Sequence, residues 1–436
     1  MSTDRHFLSP AALRRAAVFC GFIAAVASAA VANAADDAVP GYTACVKAAW
    51  PTIDDAEQRV VACSKALQSK ALSPDGVAVA RLTRGAARYA LGEKLIASED
   101  YREALRHYDG AIDPRNPDAL NLYRRGVSHE GLGEIDKALA DYDQAIRLDA
   151  RTAMPYFERG ALLASRSRTF SRAIDDFNRA LELQPDNVEA VTARGAAYGE
   201  LGQYARAIAD LDRAVQLAPR SSEARHRRAI VFGRMGKVDK ALEDYDAALT
   251  LNPHNSTALV DRAGLQASSK QYDLAIKDLS AAIALRIDDA AAYYNRGFAR
   301  FALGQYDQAI VDYGLAIAMD PTMAAAYNNR CLARAVVGKD LVRALGDCDT
   351  ALKLSPVNLD VRATRGFVFL KLGDPQLALN EYNALLDVDP NRSIALYGRG
   401  VALTQAGKAA EGQREKAAAL AIDPEIAASF ERYGVK

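Results

Sequence analysis

A small residue returns along this chain about every 34 residues, and that regularity restricts the fold more than any other feature. Gly126, Gly160, Gly195, Gly297, Gly366 and Gly400 share one column, completed by Ala229, Ala263 and Cys331. Twelve or thirteen places later comes a second small column, Ala138, Ala173, Ala207, Ala241, Ala275, Ala309, Ala344 and Ala378, interrupted by Gly412. Four residues further on stands a large side chain, as in Tyr142, Phe177, Leu211, Tyr245, Leu279, Tyr313 and Tyr382, and three beyond that another small one. These intervals describe a helix face, not a strand. Small columns on successive helices let the paired axes approach closely, because a larger substituent at Cβ would hold them apart. Most units close on a proline (Pro185, Pro219, Pro253, Pro321, Pro356, Pro390, Pro424) that stops one helix, with polar residues nearby to cap the next. A chain of 436 residues would otherwise suggest roughly two to four separate globular domains, but a repeat array needs no such division.

A charged pattern runs in the same phase. Arginine precedes the first small column at Arg84, Arg125, Arg159, Arg194, Arg228, Arg262, Arg296, Arg330, Arg365 and Arg399. On the following helices stand Asp141, Asp176, Asp210, Asp244, Asp278, Asp312, Asp347, Glu381 and Glu415. Two columns of opposite charge suit a ladder of hydrogen-bonded ion pairs that fixes helix packing. The competing reading is a basic stripe for an anionic polymer, whose binding would fall steeply with salt.

Together with turns such as Gly202-Gln203-Tyr204 and Gly304-Gln305-Tyr306, these columns resemble the tetratricopeptide repeat family over residues 78–426. The clearest instance pairs Tyr294-Asn295-Arg296-Gly297 with Ala309-Ile310-Val311-Asp312-Tyr313, a version similar to arrays in bacterial exported and envelope proteins. The resemblance implies an all-α, right-handed superhelix (an α-solenoid) of about ten helix-turn-helix repeats with terminal capping helices. Their expected bounds are 78–118, 119–152, 153–187, 188–221, 222–255, 256–289, 290–323, 324–358, 359–392 and 393–426, followed by a capping helix at 427–436. There Phe430 and Tyr433 would cover the apolar face of the last repeat. In the first unit Gly85 and Ala104 stand seven residues further apart than the pattern requires; two extra turns in the first helix would accommodate them without rotating its apolar face. The third and eighth units carry one extra residue each in the turn.

Ahead of the repeats, Arg14 and Arg15, an apolar stretch from Ala16 to Val31 and Ala32-Asn33-Ala34 read as a signal peptide over 1–34, cut after Ala34. A membrane anchor would need a longer and more strongly apolar run, and Phe19 before Cys20 is too bulky for a lipoprotein signal. The expected location is periplasmic or secreted, with no integral membrane segment in the mature chain. Removing 1–34 takes away three Arg and one Asp and leaves 52 basic and 54 acidic residues. Nucleic acid and anionic membranes are therefore not expected partners. Four cysteines remain, an even number for an oxidising compartment. Cys331 and Cys348 occupy facing columns of one hairpin, 17 residues apart, and Cys45 and Cys63 are separated by 18 across Pro51. That repeated spacing supports the pairs Cys45 with Cys63 and Cys331 with Cys348, the first stapling a helix pair within 35–77. Each closed loop is worth about 3 kcal/mol.

No enzyme, metal or cofactor is expected. Five scattered His make no paired metal spacing, Gly236-Lys237 runs into Val238 instead of Ser or Thr, and no nucleophile elbow occurs. Asn255-Ser256-Thr257 and Asn391-Arg392-Ser393 match a glycosylation pattern but stand where helices are capped. The family resemblance further implies that first helices line a concave groove holding a protein or peptide. By offset from the glycine column, the central units present Glu189, Glu200, His226 and Arg234 there, and later units present Tyr294, Phe298, Phe301, Asn328, Leu332, Phe367 and Tyr397. Aromatic rings around an amide suit an extended peptide or a helix, unless they pack against neighbouring helices. The set of basic and amide residues that holds a terminal carboxylate in chaperone-binding members of the family is not recognisable. The expected function is a non-catalytic interaction scaffold or adaptor; a fixed structural component of an envelope assembly or export machine is the alternative, and a glycan-modifying enzyme lacks a domain to house it.

Overall fold

A computed structural model describes residues 34–46, 53–166, 169–285 and 289–435 of the chain. The expected signal segment before Ala34, and Pro51, lie outside the described residues. Three helices come first: α1 (Ala34–Asp37), α2 (Tyr42–Val46) and α3 (Ile53–Gln68). Hairpins of two helices follow: α4 (Pro74–Ala90) with α5 (Lys94–Ala111), α6 (Ala119–Gly131) with α7 (Ile135–Leu148), α8 (Ala153–Ala164) with α9 (Phe170–Leu183), α10 (Val188–Glu200) with α11 (Tyr204–Leu217), and α12 (Ser222–Arg234) with α13 (Val238–Leu251). The series continues through α14 (Ser256–Ser268) with α15 (Tyr272–Leu285), α16 (Ala290–Ala302) with α17 (Tyr306–Met319), α18 (Ala324–Val337) with α19 (Leu341–Leu354), α20 (Leu359–Leu372) with α21 (Pro375–Leu386), and α22 (Ser393–Gln405) with α23 (Ala409–Ile422), ending in α24 (Ile426–Arg432). Two compact units contain them, 34–258 and 259–435, with the boundary inside α14.

The local chemistry explains these elements. Side chains of Asp118, Asn187, Ser221, Asp289 and Asn358 accept hydrogen bonds from amides of the first turn and cap the helices that follow. Asn255 Oδ1 likewise accepts from the amide of Ala258, at 3.0 Å, so the Asn-Ser-Thr triplet serves as a cap. Three-residue turns within hairpins need one left-handed residue, supplied by Gly202 (φ +71°) and Gly304 (φ +77°).

The small and large columns are the two halves of one contact. A Cβ on Gly126 would stand 2.6 Å from the Tyr142 ring, on Gly160 2.9 Å from Phe177, on Gly195 2.8 Å from Leu211 and on Gly297 2.9 Å from Tyr313. Each large side chain of a second helix thus fills the notch left by a missing Cβ on the first. Tyr101 lies between Gly85 and Gly131 in the same way, bringing the next hairpin into the contact.

The charged columns form the expected ladder. In the first eight hairpins an arginine donates through Nε and Nη2 to both oxygens of one aspartate, as in Arg84 to Asp100 (2.9 and 2.6 Å), Arg228 to Asp244 (2.7 and 2.8 Å) and Arg330 to Asp347 (2.9 and 2.7 Å). Arg365 to Glu381 (2.5 Å) and Arg399 to Glu415 (2.7 Å) close the last two hairpins through single bonds. The remaining nitrogen Nη1 often crosses to the second helix of the preceding hairpin, meeting Asp143 from Arg159 (2.6 Å), Asn178 from Arg194 (2.8 Å) and Asp349 from Arg365 (2.8 Å). One guanidinium therefore ties three helices together. With their donors committed to protein carboxylates, these arginines form no free basic stripe.

The first unit corrects the reading of its phase. Gly85 faces Tyr101, Arg84 pairs with Asp100, and the buried small residue in register is Ala97, not Ala104. α4 has 17 residues, but its extra turn precedes Gly85; the seven residues that separate this unit from the next sit in α5, which has 18 residues, and in the loop after it. Cys45 pairs with Cys63 (Cα to Cα 4.7 Å) and Cys331 with Cys348 (5.6 Å). The first disulfide joins α2 to α3 in a small core with Val39, Tyr42 and Ala66 against Val79 and Ala80 of α4. Asp36 is buried beside it and accepts from the Ser73 amide (2.7 Å) and hydroxyl (2.6 Å), locking α1 onto the cap of α4.

Candidate peptide-binding face

Within each unit, first helices such as α8, α10, α18 and α20 pack on their own partners and on the second helix of the preceding hairpin. Successive first helices also touch one another, α8 on α10 and α10 on α12 in one unit, α16 on α18, α18 on α20 and α20 on α22 in the other. Second helices show no comparable approach among the described residues, so first helices form the crowded, concave side of each unit.

In the 34–258 unit this side is polar. Glu189 is exposed, and Arg234 donates to Glu200 (2.6 Å) and to the Gly199 carbonyl (3.1 Å). His226, which the offset from the glycine column assigns to the groove, is buried, with its ring 5.8 Å from Tyr245. Two buried acids of this unit went unnoticed in the sequence. Glu130, on α6, accepts from the Tyr142 hydroxyl at 2.8 Å, and burial pushes its carboxyl up to about 8. Glu158, on α8, is fully buried; burial, then the charge of Glu130, raises its carboxyl well above the ordinary range. Glu130 follows the glycine column by four and Glu158 precedes it by two, positions that periodicity assigns to packing.

In the 259–435 unit the side is aromatic, and of the two arrangements the sequence allowed, open or packed, most of these rings take the packed one. Tyr294 is buried, 5.8 Å from the Tyr313 ring, and its hydroxyl accepts from Asn329 Nδ2 at 3.0 Å. Phe298 is half-buried. Leu332 is fully buried, and Asn328 is 8% exposed with an Oδ1 that accepts no hydrogen bond from the protein. Phe301 packs edge-on against Tyr306 (5.1 Å) and on Tyr433 (6.0 Å). Phe367 meets Phe430 (6.1 Å) and Tyr433 (6.3 Å), and Tyr397 meets Phe430 (4.8 Å). The physical reason for their burial is α24. A helix that only sealed the last repeat would rest on α22 and α23, whereas Tyr433 reaches Phe301 on α16, three hairpins earlier. Lys371 of α20 closes the contact, its ammonium donating to the Tyr433 carbonyl at 3.0 Å. The structure thus brings Phe301, Phe367 and Tyr397 together around one segment, and leaves Tyr294 packed on Tyr313 and bonded to Asn329 of the next hairpin.

Among the described residues no cluster of three or more His, Cys, Asp or Glu is placed to hold a metal, and no helix is long and apolar enough to cross a membrane.

Family models described as "Tetratricopeptide repeat" match residues 86–155, 161–232, 222–255, 290–323 and 364–425, and one described as "TPR repeat" matches 266–304. Curated relatives include DnaJ homolog subfamily C member 3 of Gallus gallus, 29% identical over 104 residues (24% of this chain, 20% of the relative). Tetratricopeptide repeat protein 6 of Homo sapiens is 39% identical over 66 residues (15% and 12%), and the Hsp70-Hsp90 organizing protein of Triticum aestivum 28% over 99 (22% and 17%). The chain spans a fifth or less of the length of these relatives. Similar solved structures are the Cut9-Hcn1 hetero-tetramer of APC/C (TM-score 0.46, 16% identity, 87% of this chain and 93% of that one) and YrrB, described as having an unusual peptide-binding site (TM-score 0.38, 20%, 42% and 95%).

Proposed function

The chain belongs to the tetratricopeptide repeat family, whose members bind protein or peptide partners, and on that premise we propose that it is an exported, non-catalytic interaction scaffold. The partner lies along the first-helix side of the 259–435 unit. The observation that carries this reading is that the same side already holds a polypeptide segment, α24, through ring contacts and one main-chain hydrogen bond. A surface able to seat one helix by its side chains has the shape and polarity to seat another. Its aromatic rings supply large contact areas at little entropic cost. Export rests on the basic, apolar and Ala-x-Ala segments of residues 1–34, and the cysteine pairs suit an oxidising compartment.

A photo-crosslinking residue in place of Phe298, on the concave side, is expected to trap a discrete protein adduct in the producing cell. The same residue in place of Val342, which is 76% exposed on a second helix, is expected to trap none. Equal adducts from the two positions, or none from 298, would remove the proposal. Mass analysis of the mature chain should show it starting at Ala35; a retained 1–34 segment would contradict export.

A further inference from the structure

We propose that residues 426–435 are an internal stand-in for the partner, and that the partner's binding element is a short amphipathic helix with the same face: an aliphatic residue, an aromatic four places on, and a second aromatic three places after that. The inference rests on the scaffold reading above and specifies the ligand of that site. In this chain the face is Ile426 and Phe430 on one side of α24, continued by Tyr433 at its C-terminal cap. Ile426 and Phe430 are each about 1% exposed. Phe430 is set between Phe367 and Tyr397, and Tyr433 between Phe301 and Phe367. The rings of the segment thus alternate with those of α16, α20 and α22, as anchors of a helix alternate with pockets of a groove.

Two features separate this arrangement from a plain helical cap. The segment rests on the last hairpin and, beyond it, reaches back to Phe301 of α16. Its end is held through a backbone carbonyl, by Lys371 at 3.0 Å, a contact that any helix in the same register reproduces whatever its side chains. Gly434, at φ +78°, turns the chain beside that ammonium, which stands 3.0 Å from where a Cβ would be. A partner must displace the segment, so the resident helix sets a threshold on affinity. A tethered competitor acts at an effective concentration of about millimolar, so only partners tighter than the segment, or presented in multiple copies, gain entry.

The test is a fluorescence titration with a labelled peptide of residues 424–435, using the full-length chain and its Phe430→Ala/Tyr433→Ala variant, in which the segment is weakened. The variant is expected to bind the peptide at least tenfold more tightly than the unaltered chain, and to ignore a control peptide carrying the same two alanines. Equal binding by the two proteins, or equal binding of the two peptides, overturns the inference. Hydrogen exchange on the unaltered chain gives a second reading that does not depend on how the variant folds. Excess peptide should speed exchange of amides 426–435 while α16 and α20 stay protected, and unchanged exchange of 426–435 overturns the inference. If both tests fail while the residue at 298 still captures a partner, the scaffold reading stands and only the ligand class is wrong. If that capture fails too, both fall.

Discussion

At the scale of single residues, the chain is held by two repeating contacts, a glycine against a ring and an arginine against a carboxylate. Gly126→Ala would press a methyl group into the Tyr142 ring, and over-packing of that kind costs about 1–3 kcal/mol. Thermal unfolding should show it as a lower midpoint, while alanine at Gly133, whose Cβ would meet nothing within 4 Å, pays only for its left-handed backbone. Asp312 is fully buried and accepts from Arg296 and Arg300, so Asp312→Ala strands two guanidiniums and should cost about 3–5 kcal/mol in urea unfolding. The buried acids of the other unit set a pH dependence. Glu130 has an ordinary value of 4.5 and a folded value of about 8, and Glu158 shifts in the same direction. Between those values the native state keeps a proton that the unfolded chain has lost, so stability falls as pH rises through that window. The melting temperature is therefore expected to drop by several degrees from pH 5 to pH 8, and the Glu130→Gln/Glu158→Gln variant to flatten that slope. A slope unchanged in the variant would exonerate these carboxyls.

At the scale of elements, helical periodicity and cap chemistry were enough to read an all-helical repeat fold, because each hairpin meets the same neighbours and so repeats the same residues. The ladder was legible for the same reason. The first unit misled because Ala97 with Tyr101 and Ala104 with Tyr108 both present a small residue followed four places later by a large one. Seven residues make almost two full turns, so both pairs lie on one face and the pattern alone does not choose between them. The interval of 16 residues from arginine to acid, 84 to 100, does choose, and it is the interval kept from 125 to 141 and from 194 to 210. The disulfide between α18 and α19 belongs to this scale as well. Replacing Cys331 and Cys348 together by alanine opens a 17-residue loop and removes a contact between facing columns, at a cost of about 3 kcal/mol; a reductant should lower the melting temperature of the unaltered chain but not that of the variant to a comparable degree.

At the scale of the whole molecule, what sequence could not supply was the state of the aromatic face. Offsets from the glycine column identified which side of each first helix faces inward, but burial of Phe301, Phe367 and Tyr397 depends on a segment 33 to 132 residues away that folds back onto them. Such a contact has no period, and no local pattern announces it. The polar face of the 34–258 unit and the aromatic face of the 259–435 unit also differ in kind, which is why the proposed helical, aromatic ligand is assigned to the second. Aromatic-ring resonances of the full-length Phe430→Ala/Tyr433→Ala variant, followed as the unaltered 424–435 peptide is added, address the central claim most directly. The account predicts shifts at Phe298, Phe301, Phe367 and Tyr397, with Tyr142 and Phe177, buried inside hairpins of the other unit, unmoved. Shifts centred on second-helix surfaces, or a spectrum indifferent to the peptide at saturating concentration, would contradict it.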